Sequence, residues 1–99
     1  MNFLIKVEPE ALQDIQEAIY WYDRQQPGLG RRFYDQLNIA IDRLKQNPYY
    51  QIRYRSVRCL PLAKFPFMIH YSVDETNSII FIWAIFNTSL NPKRWMRNR

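Results

Sequence analysis

Few side chains in this 99-residue sequence could move a proton or hold a phosphate. The chain has one histidine, His70, and one cysteine, Cys59. A histidine beside cations could cleave a phosphodiester through a neighbouring hydroxyl. The ring would exchange the proton, and arginine or lysine would stabilise the crowded phosphate. The cations available for this are Arg55, Arg58 and Lys64 in the middle of the chain and Arg94 and Arg97 near its end. His70 sits inside Met68-Ile69-His70-Tyr71. If Ile69 and Tyr71 face a core, strand alternation turns His70 to the opposite, open side. The same position equally suits a structural strand histidine. Cys59 reads as a small core residue, because no neighbour in sequence would activate its thiol. A lone cysteine makes no intramolecular disulfide, and no His/Cys cluster has metal-ligand spacing, so neither a metal nor a cofactor is expected.

The elements that must position these groups follow from hydrophobic spacing. Phe3 to Val7 is rich in strand formers and stops at Glu8-Pro9. Pro9 suits the first turn of a helix, and Glu8 and Glu10 put negative charge at its positive end. Leu12, Ile15, Ala18, Ile19 and Tyr22 then form one helical stripe, which should end near Gln25-Gln26 ahead of Pro27. Pro27-Gly28-Leu29-Gly30 holds both glycines of the chain, a sign of positive φ or of close backbone contact. Phe33, Leu37, Ala40 (or Ile41) and Leu44 mark a second helix, stopped at Asn47-Pro48. Two such helices with a short link fold into an antiparallel hairpin. Tyr20, Trp21 and Tyr22 are read mainly as packing residues of that hairpin.

After Pro48 the period changes to that of strands. Arg53–Leu62 reads as one strand, Pro61 and Pro66 bracket a break carrying Lys64, and Phe67–Val73 alternates cleanly. Asp74-Glu75-Thr76-Asn77-Ser78 is a polar hairpin turn, and Ile79–Phe86 is apolar throughout, as in a strand covered on both faces or one central in its sheet. A short basic tail follows, with Trp95 placed to pin it to the core. The expected fold is α+β in the order β-α-α-β-β-β. The helix hairpin covers one face of a small antiparallel sheet, and the other face is open.

Composition bounds the function. The apolar share of 47% and six Phe, seven Tyr and three Trp suffice for a core in a single domain spanning 1–99. No segment approaches the roughly 18 apolar residues of a membrane span, and the N-terminus does not read as a signal peptide, so a cytoplasmic protein is expected. The formal charge is +5, and it is uneven. Residues 1–50 hold six basic and seven acidic side chains, whereas residues 51–99 hold eight basic ones against Asp74 and Glu75 alone. That asymmetry favours an acidic partner, either nucleic acid or an acidic protein segment.

Ile15-Gln16-Glu17-Ala18-Ile19-Tyr20-Trp21-Tyr22 and Gln26-Pro27-Gly28-Leu29-Gly30, with Phe33 and Leu37, resemble the helix hairpin of ParE-like toxins. Asn47-Pro48, Tyr54-Arg55-Ser56-Val57-Arg58, Phe65-Pro66-Phe67-Met68-Ile69-His70-Tyr71, Ala84-Ile85-Phe86 and Pro92-Lys93-Arg94-Trp95 continue the match. The chain is thereby identified as a member of the RelE/ParE superfamily, often described as plasmid-stabilisation toxins. The resemblance implies the fold above and the toxin half of a type II toxin–antitoxin pair. It also implies a cognate antitoxin partner, with operator DNA contacted only through that antitoxin.

RelE-like members are ribosome-dependent mRNA endoribonucleases, and ParE-like members inhibit DNA gyrase. Many relatives carry a histidine and then an arginine after the last strand, where this chain has Asn87 and Leu90. Met68 also stands where RelE-like nucleases carry a basic residue. Asparagine cannot exchange a proton near neutral pH, and leucine pairs with no phosphate. The departures favour a gyrase-binding toxin over a nuclease, which would have to use Arg55, Arg58 and His70. A degenerate toxin that only binds its antitoxin stays open. The residues expected to touch target or antitoxin are Arg55, Arg58, Lys64, Asn87, Arg94, Trp95 and Arg97.

Overall fold

The computed structural model describes residues 3–88. Strand β1 is Leu4–Val7, followed by helices α1 (Pro9–Gln25) and α2 (Leu29–Gln46). Four strands complete the order: β2 (Ile52–Tyr54), β3 (Val57–Pro61), β4 (Phe67–Asp74) and β5 (Ile79–Asn87). They form one five-stranded sheet in the order β1-β5-β4-β3-β2. The fold is α+β with the helix hairpin on one face, as the pattern of elements implies.

Both helices begin and end where their sequence signals lie. Pro9 opens α1, and Gln26 closes it with an N–H donated to the Tyr22 carbonyl. Its buried stripe is Ala11, Ile15, Ala18 and Tyr22, whereas Leu12, expected in the core, is half exposed. Tyr20 and Trp21 also face outward, leaving Tyr22 alone of the three as a packing residue. In α2 the buried set is Gly30, Phe33, Leu37, Ala40 and Leu44.

The two glycines of the link have different tasks. Gly28 caps α2 at φ +89°, a conformation in which a side chain is strained. Gly30 lets the helices touch: a Cβ there would lie 2.5 Å from the Ile19 carbonyl oxygen and 2.8 Å from Asp23 Cγ. Its N–H donates to Asp23 Oδ1 at 2.8 Å, tying the start of α2 to the end of α1.

Two details differ from the sequence expectation. Arg53–Leu62 is a hairpin, β2 and β3, joined by Arg55-Ser56, with Tyr54 opposite Val57. Arg55 takes φ +50° at the first turn position, where glycine is the usual choice. With an arginine there, the sequence carries no turn signal. The sheet is also mixed, because β1 pairs parallel with β5, from Leu4 opposite Ile79 to Val7 opposite Ile82. The helix hairpin carries the chain from β1 at one edge to β2 at the other, and the β2-β3-β4-β5 meander brings it back beside β1.

Leu60, Leu62, Ile69, Tyr71, Ile80, Ile82 and Ile85 meet the helix stripes in one core. On β5 the register slips by one residue at Trp83, since His70 pairs with Ala84 and Tyr71 with Ile82. This bulge lets Ile82 and Ile85 both face the helices despite their odd spacing.

Gly30→Ala cannot be absorbed by a side-chain shift, because the first atom met is backbone. The substitution is expected to cost about 1–3 kcal/mol, read as a fall of several degrees in the thermal midpoint. Gly30→Ala with an unchanged midpoint would show that the helices do not approach this closely.

Candidate functional site

Strand alternation sends His70 to the sheet face opposite the helices, as anticipated, together with Cys59, Met68, Ala84 and Phe86. That face is not an open basic surface at this point. His70 has 0% exposure, and Cys59, Met68, Ala84 and Phe86 are buried with it. Its Nδ1 lies 3.0 Å from the Tyr54 hydroxyl and 3.6 Å from Cys59 Sγ. The ring meets Phe86 edge-on, with centroids 5.0 Å apart. Burial pushes the Cys59 thiol up to about 11, partly offset by the charge of Arg53, so it is a neutral core group rather than a nucleophile.

Arg58 belongs to the other face. It alternates with Val57 and Cys59 and shares the side of Leu60, which packs in the helix core. Its guanidinium lies over the Tyr49 ring, 5.4 Å from the centroid, and donates to the Tyr50 carbonyl oxygen. Tyr49 in turn donates to Glu75 at 3.4 Å, and the buried Tyr71 hydroxyl donates to the Pro48 carbonyl oxygen at 2.7 Å. Arg58 thus clamps the chain leaving α2 to the sheet. Burial drives the Tyr71 phenol up to about 12.

The remaining candidates are spread out. Arg55 is exposed on the β2–β3 turn, and Lys64 is exposed at φ +71° in the β3–β4 connection. They stand at opposite ends of β3, separated by roughly 20–30 Å of near-extended chain. Lys64 borders a shallow depression with Arg32, Asp35 and Gln36 of α2. Arg55, Arg58 and His70 are therefore not brought together: one is on a turn, one on each face. Arg94, Trp95 and Arg97 lie outside the described residues, as does Leu90.

Asn87 closes β5 opposite Phe67 and lines a larger groove of about 780 Å³. The groove runs between α1, through Asp14, Glu17, Ala18, Trp21 and Tyr22, and Pro66, Phe67, Ile85 and Phe86. It exists because β1 ends at Val7, opposite Ile82, while β5 continues to Asn87. Within that stretch Asp14 Oδ2 accepts the Ile85 N–H at 3.0 Å, across 71 residues of sequence. Asp14 and Tyr54 are the residues that sequence reasoning missed. Asp14 flanks the buried stripe of α1, and Tyr54 was hidden by the unrecognised hairpin.

The family model described as "ParE toxin of type II toxin-antitoxin system, parDE" matches residues 5–92. No curated protein sequence matches the chain. Among solved structures, the chromosomal ParDE toxin–antitoxin system from P. aeruginosa is similar at a TM-score of 0.76 and 18% identity. That match covers 88% of this chain and 97% of the other. The toxin–antitoxin complex RelBE2 from Mycobacterium tuberculosis is similar at 0.62 and 11% identity, covering 88% and 99%. The archaeal RelE–RelB complex from Pyrococcus horikoshii OT3 is similar at 0.56 and 15% identity, covering 92% and 100%. At these identities the structures share the fold.

The two raised groups set the alkaline behaviour. Ordinary values are 9.0 for the thiol and 10.0 for the phenol, and both protons are held more tightly in the folded chain. Their contribution is fully present below about pH 9 and is lost as pH rises toward 12. The denaturant midpoint should therefore fall between pH 9 and 12, with a smaller fall in Tyr71→Phe. A midpoint flat to pH 12 would contradict the burial of both groups.

Arg58→Ala should lower stability by about 1 kcal/mol through the lost clamp. Arg55→Asn should leave stability equal or higher, since asparagine tolerates the left-handed conformation. Chemical denaturation of both variants checks the contrast.

Proposed function

The chain belongs to the ParE toxin family of type II toxin–antitoxin systems, and from that premise we propose that it acts by binding DNA gyrase rather than by cleaving RNA. The observation that carries the reading is the position of His70. The only imidazole of the chain has no exposed surface and shares its Nδ1 with the Tyr54 hydroxyl. A general base must come within hydrogen-bond reach of the proton that it takes. Arg58, the cation that would accompany it, serves the opposite face. Asn87 at the end of β5 supplies no exchangeable proton.

A protein-binding toxin needs none of this chemistry. It needs exposed groups on a rigid frame, and the exposed cations Arg53, Arg55 and Lys64 meet that need. Its proposed silencing partner is a cognate antitoxin, seated in the groove beside α1. The half-exposed Trp21 offers the aromatic anchor that such interfaces favour. Operator DNA is reached only through that antitoxin. The reading also takes the protein to be cytoplasmic, where gyrase works.

Inducible expression in bacteria, followed by labelled thymidine and methionine incorporation over the first minutes, tests the target. Thymidine incorporation is expected to fall first while protein synthesis continues. An immediate arrest of methionine incorporation would replace this reading with the nuclease. Arg55→Asn should weaken growth arrest without loss of folded protein. Trp21→Ala, tested by calorimetry against the antitoxin, should weaken binding at least tenfold, and unchanged affinity would move the antitoxin off this groove.

A further inference from the structure

Two hollows meet at Tyr22 and Pro66, which line both of them. On one side of this waist lies the groove beside α1. On the other lies the depression between the start of α2 and the β3–β4 connection, where Leu29 and Phe65 give an apolar lining. Joined, they make one cleft, which follows α1 from Asp14 to Tyr22 for about 12 Å of helix. The two ends differ in charge. Among the described residues the groove end is lined by Asp14 and Glu17 and by no cation. The depression holds Asp35, Arg32 and Lys64. Asp35 is already paired, accepting the Arg31 Nε–H at 3.0 Å, whereas among the described residues neither Arg32 nor Lys64 makes an ion pair. Two uncompensated cations therefore stand beside an apolar lining in a concave site, where their field is focused.

We propose that the whole cleft takes one segment of the antitoxin, apolar along the groove and waist and acidic where it reaches Arg32 and Lys64. The inference rests on the reading that the groove seats the antitoxin, and adds to it a second subsite and a direction. Carboxylates at the groove end would meet Asp14 and Glu17, so a single direction along the cleft brings opposite charges together. The same polarity argues for a protein segment. A nucleic-acid strand carries negative charge along its whole length and would have to pass those two acids. A protein segment can hold its carboxylates at one end and keep the rest apolar. Seated there, it also covers Lys64, one of the exposed cations offered to gyrase, so docking and silencing share a contact.

The test is association of the full chain with its cognate antitoxin, purified from the co-expressed complex, in low and in high salt. Arg32→Gln/Lys64→Gln changes two exposed positions and leaves the core untouched. It should weaken binding about tenfold at low salt, chiefly through slower association, and flatten the salt dependence. Arg24→Gln/Arg43→Gln removes the same charge from exposed helix positions outside the cleft and should bind as the unmodified chain does. Unmodified affinity in the first variant, or an equal loss in the second, would overturn the proposal. So would a first variant that loses affinity for single-stranded nucleic acid and keeps it for the antitoxin. Trp21→Ala separates the two readings. Weakening by Trp21→Ala alone would keep the antitoxin in the groove and remove the acidic subsite. Weakening by the Arg32/Lys64 variant alone would keep the subsite and remove the anchor at Trp21.

Discussion

Tyr22 stands where the helix hairpin, the β3–β4 connection and the sheet meet. Its ring stacks on Phe33 of α2 at 5.6 Å and meets Phe65 and Phe67 edge-on at 5.0 and 6.0 Å. Phe33 repeats both contacts, at 5.5 and 5.1 Å. Aromatic pairs in these geometries add roughly 0.5–1.5 kcal/mol each beyond burial. This junction fixes how the helices sit on the sheet. It thereby fixes the groove beside α1, the reach of Asp14 to Ile85, and the face to which β3 and β4 direct their side chains. Gly30 makes the junction possible, because only a residue without Cβ brings Phe33 that close to the α1 backbone.

How much of this was legible depends on whether the signal was local. The helices were, because Pro9, Pro27 and Pro48 stop the chain wherever the apolar spacing begins or ends. The stripe of α2 was read from Phe33 to Leu44, with Ala40 and not Ile41 as its buried member and Gly30 added at its start, and β4 and its polar turn were equally clear. Asp74 accepts both the backbone and side-chain N–H groups of Asn77, which holds its carboxyl below the usual range. The β2–β3 hairpin was not legible, since its turn uses Arg55 and Ser56 in place of glycine or asparagine. Nor was the parallel pairing of β1, which depends on where the helix hairpin and the β2-to-β5 meander return the chain and not on anything in Leu4–Val7.

The candidate site shows the same division. Alternation gave the direction of His70 correctly but could not give its environment, which depends on contacts with Tyr54 and Phe86 at long range in sequence. Arg58 looked like a surface cation and is half-buried, because Tyr49 and Tyr50 fold back onto it. A side chain engaged in holding the α2 exit to the sheet is a poor candidate for a mobile ligand. Among the described residues after α2, the exposed cations are peripheral: Arg53, Arg55 and Lys64. A rigid scaffold with charge at its margins and an apolar groove at one edge suits recognition of protein surfaces better than proton transfer.

The central claim is that this toxin works by binding and not by cutting. The most direct measurement is an in vitro comparison in which purified chain is added to DNA gyrase with relaxed plasmid and, separately, to ribosomes programmed with mRNA. The account predicts concentration-dependent loss of supercoiling, reversed by antitoxin, with the mRNA intact. Cleaved mRNA beside undisturbed supercoiling would contradict it.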